Sequence, residues 1–440
     1  MTRHLGPGLI VTACIVGSGE LIATTKLGAE AGFVLLWLIL LGCLVKVFVQ
    51  IELGRYAITS GRSTLEAMNL LPGPRLIVSW LVWFWLVMYI AVAFQVAGIA
   101  GGVAKVFTSL GFGWDDTVWV ILVSVSCAML LVVGRYRLVE VLSVGMVALF
   151  TICTVVAAVS LQFTEYSITL EEILSGLTFQ LPSDSSAIAF AAFGITGVGA
   201  TELIYYPYWC LEKGYGRYVG PREDTPEWEA RARGWIRVMK ADAWLSLVVY
   251  TVATVAFYVL GAAILHAQDL TVESGDLVAT LSLMYEKTFG ERGAWIFLIG
   301  AFFVLYSTFF VGTASNARLF ADGLSLFKVK RYSDANARLR MIRVGSVLIP
   351  LSAAVIFIVF GDAVGLVLVG AFAQAMMLPF LGLLSLYLCL SRLPRALRPS
   401  STWLICLFVA FASMAALAIY QFIDEKSKVR EFLSELGITF

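Results

Sequence analysis

Long apolar segments separated by short polar ones run through the whole chain. Backbone groups cannot stay unpaired in lipid, so segments near the length of about 20 residues that spans a bilayer are predicted to be helices. Eleven segments qualify: 7–30, 32–54, 76–107, 116–134, 138–162, 186–211, 241–265, 293–320, 342–360, 362–390 and 402–422. The pattern predicts an all-α integral membrane protein with eleven transmembrane helices.

Lysine and arginine residues concentrate in alternate loops. Seven of them fall in 213–240 and seven in 318–343, whereas the loops 163–185 and 266–292 are rich in Asp and Glu. Cytoplasmic loops carry the excess of positive charge. We therefore expect a cytoplasmic N-terminus, an extracytoplasmic C-terminus, and a cell membrane, the bacterial inner membrane, as the location.

The composition excludes an ordinary soluble protein. Of the 440 residues, 60% are hydrophobic and 14% are charged, against about a quarter charged in soluble proteins. The expected partners are the lipid bilayer and a small ion or solute, with no nucleic acid; no protein partner is indicated. No nucleophile–base pair and no His/Asp cluster falls at membrane depth, so neither an enzyme nor a permanently bound cofactor is expected.

Two of the apolar segments carry the same small-residue interruption followed by a glutamate. The interruptions read Gly17-Ser18-Gly19-Glu20 in the first segment and Gly199-Ala200-Thr201-Glu202 in the sixth. Paired Gly-interrupted segments in two halves of a chain are typical of the binding site of a secondary transporter. A carboxylate at membrane depth costs several kcal/mol, which favours a functional role.

The positions of the two interruptions divide the chain into two sets of five helices. An odd number of helices per set makes the second set enter the membrane from the opposite side, which gives an inverted repeat. The predicted units are the first repeat, 1–162; an extracellular loop, 163–185; the second repeat, 186–390; and helix 11 with the tail, 391–440. Helices 1 and 6 are expected to be broken at mid-membrane.

A broken helix exposes N–H groups on one half and C=O groups on the other, and these attract anions and cations respectively. Glu20 and Glu202 shift the preference towards a cation, or towards protons that the carboxylates carry. The alternative interpretation is that each glutamate only caps the half-helix that follows it. If both face one cavity, the empty pair is expected to hold a proton that the cation expels.

Other polar residues inside the apolar segments are candidate accessories of the site. Lys46 either neutralises a glutamate or extends towards the inner face. The remaining candidates are buried amides, which more often join helices, and hydroxyls suited to a coupling ion: Gln95, Gln374, Ser307 and Thr308.

Several motifs resemble the Nramp family of divalent-metal transporters, which have the LeuT-type fold. The similarity covers the first ten helices, and its motifs are Gly6-Pro7-Gly8, Leu35-Leu36-Trp37, Gln50 with 54–62, Gly199-Ala200-Thr201 and Leu378-Pro379-Phe380. The resemblance implies a LeuT-type 5+5 inverted repeat plus one extra helix. It also implies transport by alternating access.

The chain departs from the family where the family binds metal. The aspartate of the first-helix motif Asp-Pro-Gly-Asn aligns with Gly17, and its asparagine aligns with Glu20. The sixth-helix methionine aligns with Leu203 and the nearby histidine with Tyr205, while Glu202 takes a normally apolar position. Of the metal ligands of the family, the resemblance implies directly only the backbone groups around Gly17 and Ala200.

We therefore expect a divalent cation as the transported substrate, held by Glu20 and Glu202. The candidate substrate-binding residues are Gly17, Ser18, Gly19, Glu20, Ala200, Thr201, Glu202, Leu203 and Tyr205. Oxygen ligands favour Mg²⁺, Ca²⁺ or Mn²⁺ over soft metals such as Cd²⁺. The open alternatives are an ion-coupled transporter of an amino acid or amine, since the Gly-Ser-Gly break also resembles amino acid–polyamine–organocation transporters, and a non-transporting sensor.

Overall fold

The computed structural model describes residues 5–111, 113–132, 136–182, 185–270, 272, 277–290 and 292–435. Several acidic residues of the predicted outer loops lie outside the described residues, namely Asp184, Glu273, Asp276 and Glu291. The chain ends of the first and last predicted units, 1–4 and 436–440, lie outside them as well.

The first half of the chain is helical apart from one small hairpin with two residues in each strand. Its elements are α1 (Pro7–Ile15), a π-helix (Gly19–Thr24), α2 (Thr25–Ala31), α3 (Leu36–Ser60), α4 (Thr64–Met68), β1 (Arg75–Leu76), β2 (Val78–Ser79), α5 (Trp80–Ser109), α6 (Asp116–Val132), α7 (Tyr136–Ser160) and α8 (Leu170–Ser175). The strands pair antiparallel, with Leu76 opposite Val78.

The second half follows the same plan with a broken helix at its start. Its elements are α9 (Ser186–Ile195), α10 (Ala200–Lys213), α11 (Tyr215–Val219), α12 (Pro226–Leu260) with a π-helical end (Gly261–Leu265), α13 (Leu277–Phe289), α14 (Arg292–Leu326), α15 (Ala335–Phe360), α16 (Ala363–Tyr387) with a π-helical end (Leu388–Arg392), and α17 (Ser401–Glu435).

The predicted membrane segments fall on these helices. Among the described residues, eight helices are long and apolar enough to cross a bilayer, and the bent pair at the N-terminus counts as a ninth. The helix α6 and the segment Thr151–Phe163, which includes the C-terminal part of α7, are shorter apolar helices. Several helix boundaries differ from the predicted segments. The largest difference is at α12, which begins at Pro226 rather than 241. Thr225 caps this helix and Pro226 occupies its first turn. Because the helix begins at this cap, its first turns consist of the charged residues that precede the apolar segment.

The two broken helices lie inside the bundle. Helix α1 packs against α7, α10, α12 and α14. The carboxylate of Asp242 on α12 accepts the N–H groups of Gly6 (2.9 Å) and Gly8 (2.6 Å). It thus supplies two of the partners that the start of α1 lacks within its own helix. Gly8 allows this approach, since a Cβ there would lie 2.8 Å from the Asp242 carboxylate.

Candidate functional site

The first helix unwinds where the sequence places its run of small residues. Helix α1 ends at Ile15, and the chain resumes as a π-helix at Gly19, with a bend of 41° between the two parts. Gly17 lies against Thr308 of α14 so closely that an added Cβ would overlap the threonine side chain. A glycine is therefore required at this crossing.

The sixth segment breaks in the same way. Helix α9 ends at Ile195 and α10 starts at Ala200, and Gly197 between them has a φ of +62°. That conformation is open to glycine and strained for other residues. Glu202 is the third residue of α10, so its carboxylate lies at the positive end of the half-helix.

A small cavity lies between the two breaks. Its volume is about 20 Å³, which is room for a water molecule or a single ion. Its wall is formed by α1, α5, α10 and α14, by the end of α9 at Ile195, and by Ser18 and Gly19 at the first break. The polar and small residues of the wall are Cys14, Ser18, Gly19, Gln95, Thr201, Glu202, Tyr205, Thr308, Gly312 and Asn316.

Glu202 is the one carboxylate among the residues that line this cavity, and it is 7% exposed. The thiol of Cys14 donates to its Oε1 (3.2 Å), and the Oγ1 of Thr201 lies 2.8 Å from its Oε2. The same hydroxyl lies 2.8 Å from Oε1 of Gln374, whose amide donates to Oε1 of Gln95 (2.7 Å). A connected chain of polar side chains therefore runs from α1 through Glu202 to α16 and α5.

The hydroxyl of Thr201 carries one hydrogen but faces two acceptors. If Glu202 is ionised, one of the two contacts has no hydrogen, whereas a protonated Glu202 can donate to Thr201 while Thr201 donates to Gln374. A cation beside the ionised carboxylate provides the other way to satisfy its oxygens. The network is thus suited to exchanging a proton for a cation.

Glu20 is fully buried and lies outside the wall of this cavity. Its carboxylate accepts the N–H of Gly17 (3.4 Å), the N–H of Gly197 (3.3 Å) and the hydroxyl of Thr254 on α12 (3.0 Å). Two of these donors come from the two helix breaks. Glu20 therefore joins the two breaks to each other. None of these three donors belongs to the half-helix that follows Glu20, as the capping interpretation would require.

Lys46 is fully buried in the middle of α3. Its ammonium donates to the carbonyl oxygens of Phe193 and Thr196, the latter at 2.6 Å. It thus neither extends to the inner face nor forms an ion pair with a carboxylate among the described residues. It occupies the carbonyl end of the α9 half-helix instead.

The other predicted residues divide into those on the cavity wall and those behind it. Gln95, Thr308 and Tyr205 are on the wall with Ser18, Gly19, Thr201 and Glu202. Gln374 acts through its contacts to Thr201, while Ser307 donates to the carbonyl of Val304 (2.9 Å). Gly17, Ala200 and Leu203 lie in the surrounding core.

The structure adds Asn316 to the candidates. Its side chain is 3% exposed, and its Oδ1 has no hydrogen-bond partner among the described residues. A buried amide oxygen without a donor is available to a cation or a water molecule. The sequence carries a signal for it, because Thr308, Gly312 and Asn316 are spaced four apart on one face of α14.

The cavity wall does not carry the cluster of acidic, histidine or cysteine side chains that is usual for a metal site. Among the described residues, no group of three or more His, Cys, Asp or Glu side chains is placed to hold a metal ion. Ligation at the cavity would depend on Glu202 together with amide, hydroxyl and carbonyl oxygens.

A second, larger cavity of about 460 Å³ is lined by other residues of the same two helices. Helix α10 lines the first cavity with Tyr205 and the second with Tyr208, and α14 lines the first with Asn316 and the second with Asp322. The fully buried Trp209 follows Tyr208 on α10, and the guanidinium of Arg318 on α14 lies 4.3 Å from its ring. Arg318 is held by both oxygens of Glu212 (2.6 and 2.8 Å).

The sequence model of the Nramp family, described as natural resistance-associated macrophage protein-like, matches residues 8–424. The chain belongs to this family. Membership confirms the resemblance of the motifs and the prediction of a secondary transporter of divalent metal.

An uncharacterised protein of Pasteurella multocida (strain Pm70) is 26% identical to this chain over 387 residues. The aligned region covers 82% of this chain and 78% of the relative. A mutant of the Eremococcus coleocola manganese transporter has a similar structure, with a TM-score of 0.65, 15% identity, and coverage of 96% of this chain and 94% of that chain.

Two further solved structures share the architecture. MhsT in complex with L-phenylalanine gives a TM-score of 0.58 at 14% identity, covering 93% of this chain and 98% of MhsT. Mhp1, a nucleobase-cation-symport-1 transporter, gives 0.57 at 14% identity, covering 96% and 90%. At these identities the similarity shows the fold, and it confirms the LeuT-type architecture.

Proposed function

We propose that this Nramp-family chain carries a divalent cation in the cavity between its two helix breaks, with the Glu202 carboxylate as the charged ligand. The observation that carries the proposal is the position of Glu202, at the start of α10 on the wall of a cavity shared by both breaks. Asn316, Thr201 and Thr308 supply further oxygens. The similar Eremococcus coleocola protein is a manganese transporter, which supports a divalent ion.

The size of the cavity supports an ion rather than an organic solute. About 20 Å³ accommodates a single small species, and an amino acid would need several side chains to move. Because the wall is rich in oxygen, Mg²⁺, Ca²⁺ and Mn²⁺ are the proposed substrates.

The two predicted carboxylates have different roles in this proposal. Glu202 contacts the cation, while Glu20 holds the breaks in position from behind the wall. Binding at Glu202 displaces the proton that its network accommodates, so uptake is proton-linked. The cation then leaves through the second cavity when Trp209 and the Arg318–Glu212 pair move apart.

The thiol of Cys14 is the feature of the wall that could favour a soft metal. In the structure it donates to Glu202, which requires a protonated thiol rather than a thiolate ligand. We therefore expect Cd²⁺ to compete with Mn²⁺ uptake into proteoliposomes about as well as Ca²⁺ does. A strong Cd²⁺ preference in the wild type that is absent from Cys14→Ser would contradict the oxygen-based site.

The orientation in the membrane follows from the positive loops and is part of the proposal. Single cysteines introduced into 318–343 should react with membrane-impermeant maleimide only after the membrane is opened, and those in 163–182 should react in intact cells. The natural cysteines are buried or half-buried and provide the background to subtract. Labelling of Lys330→Cys from outside intact cells would invert the topology.

A further inference from the structure

The ammonium of Lys46 lies at the carbonyl end of the broken helix α9, a position that attracts cations. The last carbonyls of a helix have no partner within it and carry its negative end. At the end of α9, the carbonyls of Phe193 and Thr196 both accept from Lys46 Nζ. The same nitrogen lies 4.5 Å from the centroid of the Phe193 ring, whose face also attracts cations.

One peptide group connects this ammonium to Glu20. The carbonyl of Thr196 accepts from Lys46 Nζ (2.6 Å), and the N–H of the same peptide, on Gly197, donates to Glu20 Oε1 (3.3 Å). That peptide is thus hydrogen-bonded at both ends, by the ammonium at its carbonyl and by the Glu20 side chain at its N–H. The pair fixes the orientation of the backbone immediately before α10, and hence the start of the helix that presents Glu202.

The Lys46 ammonium is held by two backbone carbonyls and one aromatic ring, without a carboxylate. Glu20 is separated from it by the peptide, and among the described residues no carboxylate lies within ion-pair distance. The ionisable side chains that act electrostatically on it are Cys43, Glu20 and Glu202. Backbone carbonyl oxygens are also the ligands that replace the hydration shell of monovalent cations in channel filters, and two of them hold the ammonium here.

We propose that Lys46 is a tethered cation that fills a monovalent-cation subsite at the carbonyl end of α9, separate from the cavity at Glu202. The native protein therefore needs no Na⁺ or K⁺ at this position. When the side chain is removed, the subsite takes a free cation of the ammonium or alkali-metal class, because the carbonyls and the ring remain in place.

The test compares the melting temperature of purified Lys46→Ala protein with that of the wild type at equal concentrations of propylammonium, K⁺, Na⁺ and choline chloride. Lys46→Ala is expected to melt lower than the wild type in choline, which is too large for the subsite. Propylammonium, and K⁺ or Na⁺ to a smaller degree, should raise its melting temperature by about 2 °C or more through binding to the folded state. The wild type should show no difference among these salts.

Two variants control for general effects of the substitution. Lys46→Met keeps the length of the side chain without the charge, so it should be destabilised and show no recovery with propylammonium. Lys26→Ala removes a half-buried lysine that is held by one carbonyl, that of Val272 (3.0 Å), and by the Glu30 carboxylate (3.1 Å). With one carbonyl instead of two and, among the described residues, no ring beneath the ammonium, this variant should respond to no salt. If Lys46→Ala is recovered as folded protein only when it is purified with propylammonium, the proposal also holds.

A Lys46→Ala protein that melts identically in all four salts would overturn the proposal, as would one that is unfolded with and without propylammonium. This test is independent of the substrate, because divalent-cation binding is measured at Glu202 and monovalent-cation recovery at Lys46. A chain that fails to bind Mn²⁺ could still show the recovery, so the two proposals can fail separately.

Discussion

Replacing Glu202 by glutamine is expected to abolish divalent-cation binding while leaving the melting temperature close to that of the wild type. The change removes the one carboxylate of the cavity wall, and losing even an outer-shell partner of a metal ligand costs about 10–100-fold in affinity. We therefore expect a loss of about 100-fold or more for Mn²⁺ in titration calorimetry. The amide keeps the volume of the side chain and can still accept from Thr201 and Cys14.

Glu20→Gln is the matched control, since it makes the same chemical change in the buried glutamate of the other break. A hydrogen bond contributes about 0.5–1.5 kcal/mol, and the Glu20 carboxylate has N–H donors from both breaks. This variant should melt at a lower temperature and keep its Mn²⁺ affinity within a few-fold. An unchanged Mn²⁺ affinity in Glu202→Gln, with or without loss of stability, would show that the Glu202 carboxylate is not part of the binding site.

A second large effect is expected in the C-terminal part of α3, where Arg55 forms a bidentate pair with Glu52 (2.9 Å for both contacts). Glu52 is 1% exposed and also accepts from Trp403 of α17 (2.7 Å). Arg55→Met leaves this carboxylate buried and without its cation. The loss of folding stability should be about 3–5 kcal/mol, measured as a fall in melting temperature and in the SDS fraction needed for unfolding.

Arg338→Met provides the comparison, because Arg338 pairs with Asp322 in a more exposed place, with 35% of its side chain accessible. Exposed pairs contribute about 0.2–1 kcal/mol, so this variant should lose little stability. The double variant Glu52→Gln/Arg55→Met should recover most of the loss, since it removes the unpaired charge. Equal, small losses in both single arginine variants would show that the stability of the fold does not depend on the buried pair in α3.

The membrane segments and the two breaks could be predicted from the sequence because their causes are local. Apolar length determines a spanning helix, and small residues determine where it can unwind. Gly17 lies in the first break, as predicted. The second break lies earlier than the predicted run 199–202, because Gly197 has the positive φ that favours glycine and Ala200 already begins α10. The start of α12 could not be read from apolar length, since its first turns are charged and are fixed by the cap at Thr225.

The division of roles between Glu20 and Glu202 could not be predicted from two Gly-x-x-Glu motifs. After the first break the chain resumes as a π-helix, whose i→i+5 hydrogen bonds widen the turn, while after the second it resumes as a regular α-helix. The two glutamates also have different hydrogen-bond partners. The partners that decide their surroundings, such as Thr254 and Gln374, are distant in the sequence.

Lys46 shows the same limit. Its depth in α3 is evident from the apolar residues around it, but the carbonyls that hold its ammonium come from α9 and the break that follows, about 150 residues later. Snorkelling and pairing with a glutamate were the two outcomes that the sequence offered. The structure shows a third, in which a broken helix supplies the partners.

The position of a bound Mn²⁺ ion tests the central proposal most directly. Crystals of the wild type grown with Mn²⁺ should give an anomalous difference peak in the cavity walled by Ser18, Thr201, Glu202 and Asn316, within coordination distance of the Glu202 carboxylate. The peak should be absent from Glu202→Gln crystals treated in the same way. A peak elsewhere in the bundle, or one at this place that persists in Glu202→Gln, would contradict the assignment.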